Sequence, residues 1–230
     1  MPSLRHSTAP APPSPADPED WRPQLSGHGL RANAETLIEP GWDGVRVLAR
    51  VTSGEARFAD EDGEDCTAEF ATVADALAAS ALTDDMILDG FLTSQPTQIV
   101  AGVPLATIEA PTAGRVMAAM FVGGRAMPAT ISERPFDTER PIAFVAIDLL
   151  RIAGSVLLEV PLLERKRLLD GALTPGEFVR VTPHVREPFG AFLVSWRGLG
   201  FRTIWLRDAN GRYTPGRPND AWSIRPMPAK

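Results

Sequence analysis

The run Ile142-Ala143-Phe144-Val145-Ala146-Ile147-Asp148-Leu149-Leu150 constrains the fold more than any other stretch, because eight of its nine residues are apolar and the other is a carboxylic acid. An alternating pattern would leave one face of a strand to water, whereas a continuous one, here bounded by Pro141 and Gly154, predicts a strand buried on both faces. Such a strand needs a layer on each side, so a mixed α/β or α+β fold follows. Asp148 is the exception inside it.

Other segments carry different periods. Val45, Val47, Ala49 and Val51 share one face of a strand that Glu39 opens, with Arg46 and Arg50 on the other face. The acidic run Asp60 to Asp65, with Gly63 inside it, suggests a hairpin loop. Thr72, with Asp75 three residues on, is placed to cap a helix to about Leu82, and a short strand is expected over Met86 to Leu88. Pro161 sits where a first helical turn tolerates proline, and Leu162, Leu163, Leu168 and Leu169 repeat at helical spacing until Gly171. A further helix from Glu187 to about Arg197, a strand from Phe201 to Leu206 and a turn over Asp208 to Gly211 complete the pattern. Residues 92 to 140 mix β-branched residues, prolines and glycine pairs, which is consistent with hairpins and fixes no register.

With 230 residues, 44% of them hydrophobic, the chain can bury a full core as one domain. Residues 7 to 18 are rich in Pro, Ala and Ser, and the expected organisation is a flexible Pro/Ala-rich tail over 1–33 followed by a folded domain over 34–230. That start has no apolar h-region, and no stretch reaches the roughly 20 apolar residues of a membrane span, so the expected location is cytoplasmic with no membrane partner. A formal charge of -6 and a pI near 5.2 argue against a broad polyphosphate-binding face and leave room for a local basic groove.

Of 23 basic residues only Lys166 and Lys230 are lysines. An arginine stays protonated and is a poor nucleophile, whereas a lysine amine can be tuned toward its free form. Lys166, inside Glu164-Arg165-Lys166-Arg167, is expected on a charged, solvated helix face. Cys66 is the single cysteine, which excludes an internal disulfide framework, and the acids around it should raise its thiol pKa. His6, His28 and His184 are isolated, no metal-ligand spacing is present, and Gly123-Gly124-Arg125 is too short for a phosphate loop.

The stretch Ile38-Glu39-Pro40-Gly41-Trp42-Asp43-Gly44-Val45-Arg46 resembles the Glu-Pro-Lys-Trp-Asp-Gly-x-Arg motif of ATP-dependent DNA ligases, with glycine where the nucleophilic lysine stands. Three more neighbourhoods match in order. Ile87-Leu88-Asp89-Gly90-Phe91 is similar to a Leu-Asp-Gly-Glu motif, with Phe91 in place of a ribose-holding glutamate. Phe144 to Leu150 followed by Pro161-Leu162-Leu163-Glu164-Arg165 is close to the family pattern, with Ile147 replacing an adenine-stacking aromatic residue. Gly200-Phe201-Arg202-Thr203-Ile204-Trp205-Leu206-Arg207 aligns without gaps to Gly-x-Glu-Gly-Val-Val-x-Lys, so Arg202 replaces a metal-site glutamate and Arg207 a lysine. Glu61 stands where an arginine is usual, and Trp222 to Pro226 lacks two phosphate-binding lysines.

The resemblance, from about Glu35 to Arg225, implies an α+β ligase-type adenylation (ATP-grasp-like nucleotidyltransferase) domain of antiparallel sheets flanked by helices, without a C-terminal OB domain. It implies no catalytic residue, since Gly41 has no side chain to accept AMP. Its nucleotide-binding candidates are Trp42, Arg46, Phe91, Ile147, Arg202, Arg207 and Arg225, with Arg46, Arg202, Arg207 and Arg225 around one cleft. Asp43 and Asp89 are weak metal candidates, each equally suited to an Asp-Gly turn. ATP and Mg2+ enter only through the family. Three functions stay open. One is a pseudoenzyme that holds a nucleotide or nucleic-acid phosphate noncovalently at DNA ends. A second is an interaction module for a DNA repair protein. The third is an active ligase or nucleotidyltransferase working through Lys166. Against the first stands the plainer possibility that the arginines pair with Asp43, Glu39 and Asp89 and the cleft is filled.

Overall fold

Alternation along strand β3 (Val45–Thr52) separates two cores. Val47, Ala49 and Val51 face one of them, while Arg46 and Leu48 point the other way. β3 belongs to a computed structural model that describes residues 18–95 and 141–228. Two sheets make up its frame. One has the order β1 (Leu25–Gly27), β10 (Pro218–Pro226), β9 (Thr203–Asp208), β2 (Thr36–Pro40). The other has the order β4 (Glu55–Ala59), β3, β5 (Met86–Thr93), β6 (Ala143–Ile152), β7 (Ser155–Val156), and β8 (Val179–Val181) also pairs with β6 in parallel. All other pairings of that second sheet are antiparallel.

β6 is the doubly covered strand that the apolar run predicts, with Ala143 to Leu150 all buried. One of its faces joins Val47, Ala49, Phe58, Leu88, Phe144 and Leu149 to helix α1 (Ala71–Ser80) through Val73 and Leu77. On the other face, Val145 and Ile147 meet aromatic residues of the first sheet. Helix α2 (Leu162–Asp170) ties the sheets together: Leu162 packs with Leu37 and Ala209 of the first, and Leu169 packs in the core under the second. Helix α3 (Gly190–Gly198) adds Leu193 and Trp196 to the aromatic cluster. The sheets are mainly antiparallel and flanked by helices, as the resemblance implies, with one parallel pairing in each (β1–β10 and β6–β8), and no helix among the described residues is long and apolar enough to cross a membrane.

Several local expectations shift. The β3–β4 hairpin turns at Ser53 and Gly54, both at positive φ (55° and 78°), the geometry of a two-residue hairpin turn. The acidic run forms the loop expected of it after β4: Asp65 bridges back to Ala59 in antiparallel sense, the Asp60 N–H donates to the Glu64 carbonyl, and the Asp60 carboxylate accepts the N–H groups of Asp62 and Glu64. α1 begins at Ala71 after a 3-10 turn over Thr67–Phe70 and has no side-chain cap, so Thr72 lies inside the helix. β5 continues through Asp89 and Phe91 to Thr93, with all eight residues buried. Residues 96–140, with most of the expected hairpins and Gly123-Gly124-Arg125, lie outside the described residues.

The boundary drawn at residue 33 is corrected by what lies ahead of it. Trp21 is 3% exposed and packs with Leu48, Ile87, Leu150, Leu158 and Tyr213, while β1 pairs with β10. The proline-rich composition stops short of this tryptophan, whose large apolar surface is enough to hold the segment against the sheet. Trp21→Ala is expected to cost about 3–5 kcal/mol in urea denaturation, the range for a large aromatic removed from a core; an unchanged midpoint would return residues 18–33 to the tail.

Candidate functional site

The face of the first sheet that meets the second carries Glu39 on β2, Thr203, Trp205 and Arg207 on β9, and Trp222 on β10, a set fixed by strand pairing and the two-residue period. Opposite them the second sheet presents Arg46 from β3, Asp89 and Phe91 from β5 and Ile147 and Asp148 from β6. These are the positions at which a ligand cleft is expected. They are filled by one another.

Two ionic groups occupy this space. In the first, Arg46 grips Asp89 in a bidentate pair (Nε to Oδ1 3.0 Å, Nη2 to Oδ2 2.7 Å) and its Nη1 donates to the Gln24 carbonyl at 2.7 Å. The Tyr213 hydroxyl donates to the same carboxylate at 2.8 Å. Burial alone would lower the Arg46 pKa, but the charge and hydrogen bonds of Asp89 outweigh it and the net shift is upward. Tyr213 is pushed well above its ordinary value, by burial first and then by Asp89.

In the second group Asp148 is the anchor. Arg165 from α2 binds it twice (2.7 and 2.9 Å), and Arg207 reaches it from the other sheet at 2.5 Å while donating to the Ile147 carbonyl. Arg207 also lies 3.8 Å from Glu39, whose other oxygen is 2.6 Å from the Lys166 ammonium. Burial pushes the Asp148 carboxyl pKa up, yet Arg165 and Arg207 overcome this and hold it well below the usual carboxylate range. Lys166 is shifted downward, because burial outweighs the attraction of Glu39.

Lys166 therefore departs from its expected solvated position and is 0% exposed. Helix periodicity explains the difference: Leu162, Arg165, Lys166 and Leu169 fall on the buried face, while Glu164 and Arg167 pair on the exposed one. The leucine spacing that predicts α2 thus also carried the signal that two of its cations turn inward. Asp148 signalled the same network, because an acid inside an apolar strand requires a cationic partner.

The aromatic candidates share one cluster. Phe91 of one sheet meets Trp205 of the other with ring centroids 5.3 Å apart, Trp205 meets Trp222 at 5.5 Å, and Trp42 meets Phe201 edge-on at 4.9 Å. The Trp42 indole N–H donates to the Thr182 hydroxyl at 2.9 Å, and Ile147 is fully buried. The Arg46 guanidinium lies 4.6 Å from the Trp222 ring and 5.8 Å from the Phe91 ring, so the aromatic and ionic parts interlock.

The four arginines are not gathered round one cleft. Arg46 and Arg207 are internal, Arg202 is exposed, and Arg225 donates to the Leu30 and His28 carbonyls. Asp43 is exposed and joined to Gln95 through its N–H and carboxylate; partial burial raises its pKa against the opposing pull of Arg202. Asp89 is spent on Arg46 and Tyr213, and no group of three metal-ligating residues occurs among the described residues. Hollows of about 10 Å³ beside Arg165 and Arg207, and about 210 Å³ between Arg50, Asp85 and Arg151, lie away from Trp42 and Phe91. Both are below the roughly 300 Å³ at which ligand sites begin. The described residues do not fit ATP with Mg2+.

Two facing, mainly antiparallel sheets, joined by α2 and entered through a Glu-Pro-Gly-Trp-Asp-Gly strand end, define an adenylation-type nucleotidyltransferase fold. A family model described as the ATP dependent DNA ligase domain matches residues 28–223, and the chain belongs to that family. A "Probable DNA ligase" of Koribacter versatilis is 27% identical over 213 residues, covering 81% of this chain and 34% of that protein. The "Multifunctional non-homologous end joining DNA repair protein LigD" of Mycobacterium tuberculosis is 24% identical over 209 residues, covering 89% of this chain and 24% of that protein. The crystal structure of the ligase domain from M. tuberculosis LigD superposes with a TM-score of 0.61 at 22% identity, over 91% of this chain and 60% of that one, which shows the shared fold. This chain thus spans a quarter to a third of the length of these two relatives.

Asp148→Asn is expected to cost on the order of 3–5 kcal/mol at neutral pH, since it breaks a buried ion network and strands Arg165 and Arg207. The native pKa of Asp148 is depressed, so its contribution is complete above the unfolded value near about 4 and is lost as pH falls toward the native one. Urea midpoints measured from neutral to acidic pH should fall more steeply for the wild type than for the variant. Equal slopes would remove Asp148 from the balance.

Proposed function

We propose that this chain is a noncatalytic member of the ligase family, a pseudoenzyme whose adenylation fold serves as a platform for a partner protein in DNA repair. One observation carries the reading: the cleft-facing residues of the two sheets are bound to one another, cation to anion and ring to ring, instead of standing open to a ligand. Nucleotidyl transfer rests on a nucleophile, on cations free to neutralise phosphates and on carboxylates free to hold metal. Gly41 supplies no nucleophile, Arg46 and Arg207 are committed to Asp89 and Asp148, and Lys166 is buried against Glu39. The relatives, a DNA ligase and an end-joining repair protein, support the repair setting, and we assign the chain to the cytoplasm.

A second reading, noncovalent capture of a nucleotide or DNA-end phosphate, is favoured by one feature. Arg202 is exposed beside the exposed Asp43, and its guanidinium could grip phosphate from the surface.

Incubation with radiolabelled ATP and magnesium, followed by denaturing electrophoresis beside an active ligase, is expected to give no labelled band. Equilibrium binding on the same sample should detect neither ATP nor nicked duplex. A labelled band abolished by Lys166→Ala would restore a nucleotidyltransferase, and affinity abolished by Arg202→Ala would replace the platform with the phosphate binder.

A further inference from the structure

β2 and β9 are antiparallel, with Glu39 opposite Trp205 and Pro40 opposite Ile204, and the pairing runs one step further because the Gly41 N–H donates to the Thr203 carbonyl at 3.0 Å. At that step the strands come too close for two side chains. A Cβ built on Gly41 would lie 1.9 Å from the Thr203 Oγ1, 2.9 Å from its Cβ and 3.0 Å from its carbonyl oxygen. Directly opposed residues in an antiparallel pair ordinarily keep their Cβ atoms about 4.5–5.5 Å apart. Rotating the threonine would move Oγ1 but not its Cβ or the carbonyl, so a rotamer change leaves two of the three conflicts. Gly41 is not among the glycines with positive φ, so its backbone would accept an L-residue and the requirement is steric.

We infer that positions 41 and 203 share one requirement for glycine, and that in this chain the side chain has moved from β2 to β9. Thr203 falls on the second glycine of the Gly-x-Glu-Gly-Val-Val-x-Lys alignment, as Gly41 falls on the lysine of the other motif. The two departures are thus halves of one exchange: Thr203 takes the volume that any side chain at position 41 would need. Lysine cannot be put back by a single substitution, whatever the protein binds, because the opposing strand closes the site at the first carbon. This coupling stands whether or not the platform role does.

The test is a double-mutant cycle in the full-length chain, read as thermal midpoint and soluble yield. Gly41→Ala alone is expected to lower the midpoint by about 5 °C or more, the shift for an overpacked site in a chain of this size. Thr203→Gly alone should cost less, as the loss of a β-branched residue from a strand. Combined, they should melt above Gly41→Ala, although the second change adds a glycine to a strand. If Gly41→Ala yields no soluble protein, recovery of soluble protein in the combined variant carries the same result. Gly41→Lys should likewise yield soluble protein only together with Thr203→Gly. Additive losses, a combined variant that stays insoluble where Gly41→Ala is insoluble, or a Gly41→Ala midpoint equal to wild type would each overturn the coupling.

Discussion

Arg207 leaves β9 in one sheet and ends on Asp148 of β6 in the other, 2.5 Å away, and the space between the sheets is organised around that crossing. A guanidinium and a carboxylate withdrawn from water are costly unless each is fully engaged. Asp148 meets this condition through Arg165 and Arg207 together, and Arg207 through Asp148, the Ile147 carbonyl and the nearby Glu39. α2 is fixed by the same demand, because its inward cations reach both sheets, Arg165 to β6 and Lys166 to β2. Helix placement, sheet separation and the burial of Glu39 follow from one ionic knot.

Burial within that knot sets the behaviour of its lysine. Glu39, Asp89 and Asp148 face Arg46, Arg165, Lys166 and Arg207, three anions against four cations, all essentially without solvent. Arginine keeps its proton under any ordinary condition, so an excess of buried positive charge can be relieved only at the lysine. The downward shift of Lys166 has burial as its largest cause, and Arg207 adds to it against the opposing pull of Glu39 and Asp148. A lowered lysine pKa in a cleft commonly marks a nucleophile. Here the amine is enclosed, and that burial is what shifts it.

Much of this was legible in the residues. The apolar run gave β6, the leucine spacing gave α2, and the alternating valines gave β3 with the correct face turned to the core. The motif order gave the family and the fold, and every candidate on β3, β5, β6 and β9 lies at the junction of the sheets, whereas Arg202, just ahead of β9, is exposed. What was not legible was depth. Arg202, Arg207 and Arg225 look alike in a sequence, yet one is exposed, one is at the centre and one lies along the sheet edge, because strand parity and the partner across the sheet decide where each points. Trp21 was missed for a related reason: composition averages over a window, whereas a single indole can pin a segment.

A cleft whose walls carry Phe91, Ile147, Trp205 and Trp222 could not remain open at low cost. Each of these side chains would expose a large apolar surface to water, and a contiguous patch of that kind is a liability in a soluble domain unless something covers it. Bringing the sheets together covers them from within. Closure also removes water from Arg46 and Arg207, which then must be paired, and Asp89 and Asp148 stand where they can pair them. The apolar substitutions and the internal ion pairs are therefore two sides of one physical state. Aromatic rings on both walls draw the sheets together, and carboxylates on the strands neutralise the cations trapped between them.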